Sequence, residues 1–301
     1  MTKKEKDSDS NEFNDSEYDS VIERIQKNYI KQSFPEVDSK NFEILSTIRY
    51  DPTLTTIPPT NYDEIKKSNF FLFEEHLKRN EFTLRYFQLQ FNDDSELDFE
   101  LSEEFFLNHL IQALRLSEKL VTESYKVRCL IHLDGKVDVE IHNTPARENL
   151  LEAVLKPSIS SERDDLPDFA ENKKWDVYLD KEVTMISPFT SFKTTNRKHY
   201  SDSRARSLPG RRPGMEEVLL YNSQKNLMEG SITNVAIRRK GDGKWVTPQL
   251  SAGCLCGVMR HFLLRRNYIE EQTISMKDVP VGTEVLLFNA IMGVVEGKVI
   301  G

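Results

Sequence analysis

Three features of this chain could do chemistry together. Lys193 follows Phe192 in the weakly charged run Ser187 to Tyr200, SPFTSFKTTNRKHY; Glu229 closes an apolar strand pattern in NLMEGSITN; and the turn Gly253 to Gly257, GCLCG, opens an apolar helical pattern. Partial desolvation lowers a lysine pKa and yields a neutral amine able to attack a carbonyl. A carboxylate at the end of an apolar strand is costly unless a partner requires it. The first N–H groups of a helix have no intrahelical acceptor, so a helix opened by a glycine turn can hold an anion, most naturally a phosphate. The set suits a cofactor with a phosphate at one end and a ring nitrogen at the other. Each residue also has a plainer reading: Lys193 as a solvated surface lysine, Glu229 as an exposed turn glutamate. Their order along the chain favours the chemical one.

The elements that must position these groups are legible from apolar periodicity. Phe42 to Tyr50 alternates as a strand, Asp51 to Asn61 is a proline-bearing loop, and the spacing of Leu77, Phe82, Leu84 and Phe87 predicts a helix from about Glu74. Leu101 to Leu120 reads as a second amphipathic helix with an acidic first turn. Val127 to Leu133 and Lys136 to Ile141 flank Asp134-Gly135, a hairpin signal. Beyond Trp175, strands are expected at Val177 to Leu179, Val183 to Ile186, Val218 to Tyr221, Asn234 to Arg238 and Val285 to Phe288. Two short strands are expected around Asn222 to Leu227, another at Trp245 to Pro248, and helices at Asn196 to Ala205 and Leu255 to Arg265. The fold class is therefore α/β (α+β). The expected division is an acidic tail at 1–21, too poor in apolar residues to offset its ordering entropy, a small α/β domain at 22–144 with a short helix at Ile22 to Ile30, and a larger mixed α/β domain at 145–301. A polar, proline-bearing loop is expected within Leu155 to Lys174.

Composition removes several function classes. The formal net charge of -8, from 49 acidic and 41 basic residues, gives no cationic field for nucleic acid. Cys129, Cys254 and Cys256 lack paired metal spacing, and packed apolar thiols are the favoured reading of the last two. The six histidines form no HExxH-type cluster, so no metal site is expected. Apolar runs are strand-sized and the start has no apolar signal region, so no membrane span is expected and a cytoplasmic protein is.

The segments FKTTNR, EEVLLYNSQKNLMEGSITNV and WVTPQLSAGCLCGVMR resemble the fold-type IV pyridoxal-phosphate enzymes, which include branched-chain and D-amino-acid aminotransferases and 4-amino-4-deoxychorismate lyases. Within that group NLMEGSITNVAIRR, CGVMRHFLLRRNYIEE and DVPVGTEVLLFNAIMGVV are most similar to the fungal lyases. The likeness is strong over Lys193 to Gly301 and fainter over Phe42 to Gln90. It implies a two-domain fold in which Lys193 carries pyridoxal 5'-phosphate and moves protons, while Glu229 faces the ring nitrogen. Arg79, in HLKR, and backbone donors around Gly257, Val258 and Met259 would hold the phosphate, with Arg85 as a rival to Arg79. Asn289 matches a position near the phosphate or simply ends a strand. Arg49 and Arg197 would meet substrate carboxylates or pair with acids of the fold. The arginine-rich loop of bacterial lyases is replaced here by HLDGKVDVE, so no substrate arginine carries over from it. The implied activity converts 4-amino-4-deoxychorismate to 4-aminobenzoate and pyruvate. The alternatives are a branched-chain or D-amino-acid aminotransferase, or a cofactor-free binding protein on the same scaffold. The implied assembly is a homodimer.

Overall fold

The computed structural model describes residues 41–91, 99–155 and 174–301. The acidic tail, the helix expected at Ile22 to Ile30 and most of the Leu155 to Lys174 loop lie outside the described residues. A three-stranded antiparallel sheet, ordered β1-β2-β3, is formed by β1 (Ile44–Tyr50), β2 (Tyr125–Ile131) and β3 (Val137–Asn143). Strand β1 runs against β2 from the Ile44–Ile131 pair to the Tyr50–Tyr125 pair. The β2–β3 turn uses Gly135 at φ +94, and a β-carbon there would fall 2.5 Å from the ring of Phe99. One face of this sheet buries Ile44, Ile48, Tyr50, Val127, Cys129 and Ile131 against helices α1 (Phe73–Gln90) and α2 (Glu103–Leu116). The Ser102 hydroxyl caps α2 by accepting from the Phe105 amide at 3.2 Å, satisfying one of the donors that a helix start leaves open.

The second sheet has eight strands in the order β6-β5-β4-β11-β10-β7-β8-β9. Its members are β4 (Trp175–Leu179), β5 (Glu216–Tyr221), β6 (Leu227–Gly230), β7 (Asn234–Arg238), β8 (Trp245–Pro248), β9 (Glu270–Gln272), β10 (Glu284–Asn289) and β11 (Gly293–Val299). Strand β4 lies parallel to β5 and β11, and β8 parallel to β9; the other pairs are antiparallel. One apolar cluster joins Val177, Leu219, Val235, Val285, Leu287 and Val299, and another joins Ala236, Met259, Leu263, Leu286 and Phe288, as alternation in strands covered on both sides demands. Short helices α3 (Glu152–Leu155), α4 (Pro188–Ser191), α5 (Lys198–Ser207) and α6 (Val258–Arg265) complete the unit, with α6 packed on β10 and α1. Among the described residues no helix is long and apolar enough to cross a membrane.

One expected strand is absent. Val183 to Ile186 is not a strand: β5 is already paired on both edges by β4 and β6, and Val183 and Met185 stay 41% and 74% exposed. The two short strands expected around Asn222 to Leu227 are β5 and β6, joined by a turn over 222–226 in which the Asn222 side chain accepts from the amides of Gln224 and Asn226 and Lys225 takes φ +59. Strands β9 and β11 carried too little contrast to be expected. The sequence of β9 is wholly polar, and Gly293 and Gly297 dilute the apolar pattern of β11.

Candidate active site

Lys193 is placed by the edge of the small sheet. Helix α4 ends at Phe192, whose ring packs on Tyr86 at 4.4 Å and on Phe87 at 5.7 Å, and the chain leaves in extended conformation. Its backbone then lies along β1: Leu45 donates to the Lys193 carbonyl and the Thr195 amide donates to the Glu43 carbonyl, both at 2.9 Å. With the main chain fixed, the amine lines a cavity of about 460 Å³. Burial, then the nearby guanidinium groups of Arg197 and Arg79, push the Lys193 pKa far below the usual lysine range, while Glu229 opposes them. Lys198 is exposed and paired with Asp202 at 2.6 Å. Of the two lysines, only Lys193 lines the cavity.

Glu229 sits on β6, 2% exposed, at the cavity wall. The Tyr200 hydroxyl donates to it at 2.5 Å and the Asn234 amide at 3.2 Å. Burial dominates and raises its pKa to about 7, against the lowering by the Tyr200 hydroxyl, the Leu255 backbone, Arg197 and Lys193. A protonated ring nitrogen offered to it would form a direct ion pair. The Asn234 amide also donates to the Leu255 carbonyl at 3.1 Å, which ties β7 to the loop before α6. Gly257 is the N-cap of α6, and a β-carbon there would come 1.9 Å from the Asn234 side-chain oxygen. Only glycine brings the helix start this close, and its open N–H groups face the same cavity.

Arg79 is buried on α1, one turn after His76, and both line the cavity. Its guanidinium reaches the Ser46 hydroxyl at 3.4 Å, and that hydroxyl is 2.8 Å from His76 Nδ1. Arg85, the rival, is exposed and does not line the cavity. The Arg197 guanidinium stacks 4.1 Å from the Tyr200 ring centre and donates to the Ser231 carbonyl at 2.9 Å. Asn289 donates to the Ile232 carbonyl at 3.1 Å and accepts from the amides of Ile291 and Met292, both at 2.9 Å, so its side chain shapes a turn at the cavity. Val258 and Met259 also line the cavity. Arg49 departs from the substrate role: it is fully buried, bonded to Asp51 at 2.8 Å and to the carbonyls of Ile291 and Pro145, and is not a lining residue. Its charge is used to join the small sheet to the chain around 145 and 291.

The residue pattern gave no warning of Tyr200, Asn234, His76 or Glu217. Tyr200 and Asn234 lie seven and five residues beyond Lys193 and Glu229, so proximity in sequence was the available signal. Glu217 is buried on β5 and organises the turn that follows Glu229. Its carboxylate accepts from the amides of Val218, Ser231 and Ile232 and from the hydroxyls of Ser231 and Thr233, at 2.5 to 3.1 Å. A β-carbon on Gly230 would strike Thr233 Oγ1 at 2.4 Å. Glu217→Gln places an amide donor among these donors and costs about 2 to 4 kcal/mol in stability. The variant is expected to retain cofactor less tightly, because Glu229 and the Arg197 acceptor lie on the disturbed segment. Thermal unfolding and cofactor titration check this, and wild-type values in both would contradict it.

Residues 63–300 match the profile of the family described as Amino-transferase class IV. The chain is 36% identical to aminodeoxychorismate lyase of Saccharomyces cerevisiae over 259 residues, spanning 76% of this chain and 67% of that protein. A Schizosaccharomyces pombe protein provisionally given the same activity is 35% identical over 135 residues, covering 43% of this chain and 57% of its own length. Branched-chain amino acid aminotransferase from Escherichia coli superposes with a TM-score of 0.57 at 13% identity, covering 86% of this chain and 76% of that one. A hypothetical aminotransferase from Mycobacterium tuberculosis, bound to α-ketoglutarate and PMP, gives a TM-score of 0.57 at 14% identity, with coverage of 89% and 86%. At these identities the two structures establish the likeness of fold alone. Matched along most of its length by the profile and by the yeast relative, the chain belongs to the class IV aminotransferase family.

Proposed function

We propose that this chain is an aminodeoxychorismate lyase that uses pyridoxal 5'-phosphate to convert 4-amino-4-deoxychorismate into 4-aminobenzoate and pyruvate. The observation that carries the reading is the 36% identity to the Saccharomyces cerevisiae enzyme over 76% of the chain. The residues present suit the cofactor: a buried carboxylate in no ion pair among the described residues, a lysine of depressed basicity and a helix start kept open by Gly257 share one cavity. When bound, pyridoxal phosphate supplies a carbonyl for amines and a ring that accepts electron density. Arg79 and the N–H groups at Val258 and Met259 would hold the phosphate, with Asn289 shaping the cavity wall. Glu229, kept in place by Tyr200 and Asn234, would hold a proton on the ring nitrogen.

Lys193 Nζ, neutral because it is buried beside two guanidinium groups, takes the proton from the substrate ring carbon that bears the amine. Loss of the enolpyruvyl ether at the neighbouring carbon makes the ring aromatic, which drives the step. The same Nζ returns a proton to the methylene carbon of the departing enolpyruvate, giving pyruvate. Incubation with 4-amino-4-deoxychorismate is expected to yield 4-aminobenzoate and pyruvate in equal amounts with no keto acid added. Conversion of the cofactor to its amine form by simple amino acids, without either product, would instead make the protein a transaminase.

In this reading the protein works on its small-molecule substrate in the cytoplasm. Domains 22–144 and 145–301 enclose the site, and two copies pair as a two-fold homodimer. The dimer is expected to survive removal of residues 1–19, which offer little apolar area for an interface. Sedimentation of the trimmed protein at micromolar concentration checks this: a fully active monomer would overturn the dimer.

A further inference from the structure

The small sheet turns a second face to the cavity. Along β2, Tyr125, Val127, Cys129 and Ile131 are buried, while the alternating Lys126, Arg128 and Leu130 are only partly covered. Lys126 and Arg128 both line the cavity, and Arg128 stands opposite Thr47 of β1, another lining residue. Four cationic side chains, Arg79, Lys126, Arg128 and Arg197, thus border the cavity beside the amine of Lys193 and against one carboxylate, Glu229. Arg79 and Lys193 are committed to the cofactor in the proposed reaction, and Arg197 is engaged by the Ser231 carbonyl and the Tyr200 ring. That leaves an excess of positive charge on β2. The side chain of Lys126 has no hydrogen-bond or ion-pair partner among the described residues. Arg128 meets Glu140 at 2.7 Å, with the two side chains 33% and 43% exposed, a setting in which an ion pair holds its partners weakly.

We propose that Lys126, seconded by Arg128, reads the carboxylates of the substrate and sets the preference of this cavity for a ring acid bearing two of them. The assignment rests on the lyase reading and adds the residues that recognise its substrate. Alternate residues of a strand share a face at a separation of about 6.8 Å, so the two cations form a bracket rather than a single point. A dicarboxylate answers both charges, whereas an amino acid with one carboxylate and an apolar side chain leaves a half-buried cation facing apolar groups. These are positioning and specificity residues: they act on the non-reacting ends of the substrate, so their loss falls on binding.

The test uses the cofactor-loaded enzyme and Lys126→Met, which keeps the apolar stem and removes the charge. KM for 4-amino-4-deoxychorismate is expected to rise about 10- to 100-fold with kcat within about 3-fold and the cofactor absorption unchanged, and Lys126→Arg is expected to recover most of the loss. A second measurement needs no turnover. Trp175 lines the cavity, and its fluorescence reports the titration of chorismate, a ring dicarboxylate without the amine, against shikimate, a ring monocarboxylate. Wild type is expected to bind the dicarboxylate at least about tenfold more tightly, and Lys126→Met to lose that margin. If Lys126→Met does not fold, Lys126→Gln and Arg128→Gln carry the same titration. An undiminished margin in the folded variants, or no margin in wild type, overturns the proposal. Discrimination between the two acids by a wild type that makes no 4-aminobenzoate would sink the lyase reading and leave the carboxylate bracket standing.

Discussion

Lys193→Ala is expected to abolish the visible absorption of the bound cofactor and to lower turnover about 10⁴-fold or more, because one amine both carries the cofactor and moves the protons. Geometry makes the substitution clean. The backbone of Lys193 is held by β1 through Leu45, and its neighbour Thr195 by Glu43. Phe192 is locked among the rings of Phe82, Tyr86 and Phe87. Removing the side chain therefore leaves the segment in place. It also removes a group that is costly to charge where it lies, so the cofactor-free variant should be no less stable than wild type. Lys198→Ala is the control, and its exposed pair with Asp202 contributes little. Near-normal turnover in Lys193→Ala would remove the lysine from the chemistry.

Glu229→Gln is expected to separate stability from catalysis. Burial raises the carboxyl to about 7 from an ordinary value of 4.5. Because the folded pKa lies above the unfolded one, the stability that a neutral Glu229 contributes is fully present below about 4.5 and is lost as pH rises through about 7. At pH 8 the cofactor-free wild type carries a buried charge that glutamine does not. The variant should then be more stable by up to roughly 3 kcal/mol, less what the facing Asn234 donor takes back. At pH 4 to 5 the difference should vanish. With cofactor and substrate the order reverses: the ring proton is no longer held, and turnover should fall about 100-fold while the cofactor stays bound. Calorimetry at the two pH values and steady-state rates check the pair of effects. Equal rates for variant and wild type would end the role assigned to Glu229.

Much of this was legible in the sequence because the informative segments are local. The strand ending in Glu229, the glycine at the start of α6 and the helix carrying Arg79 each read from one continuous pattern, and each element lies where its pattern implied. The failures have a common physical cause. Whether Val183 to Ile186 becomes a strand depends on a free sheet edge, and β5 has none. Whether Arg49 meets a ligand depends on Asp51 and on two distant carbonyls that the fold brings to it. Lys126 and Arg128 look like ordinary polar positions of an alternating strand; only the placement of the small sheet against the cavity gives them a task. Glu217 is similar, since a carboxylate beside another in Glu216-Glu217 reads as surface until the turn at Gly230 wraps around it.

The most direct test of the central claim is to reduce the cofactor-loaded protein with borohydride and map the modified residue by peptide mass spectrometry. Reduction fixes the cofactor on whichever lysine carries it. The account predicts a single phosphopyridoxyl group on Lys193, absent when an excess of 4-amino-4-deoxychorismate is present during reduction. Modification at Lys198, at Lys126 or at several lysines together would contradict it.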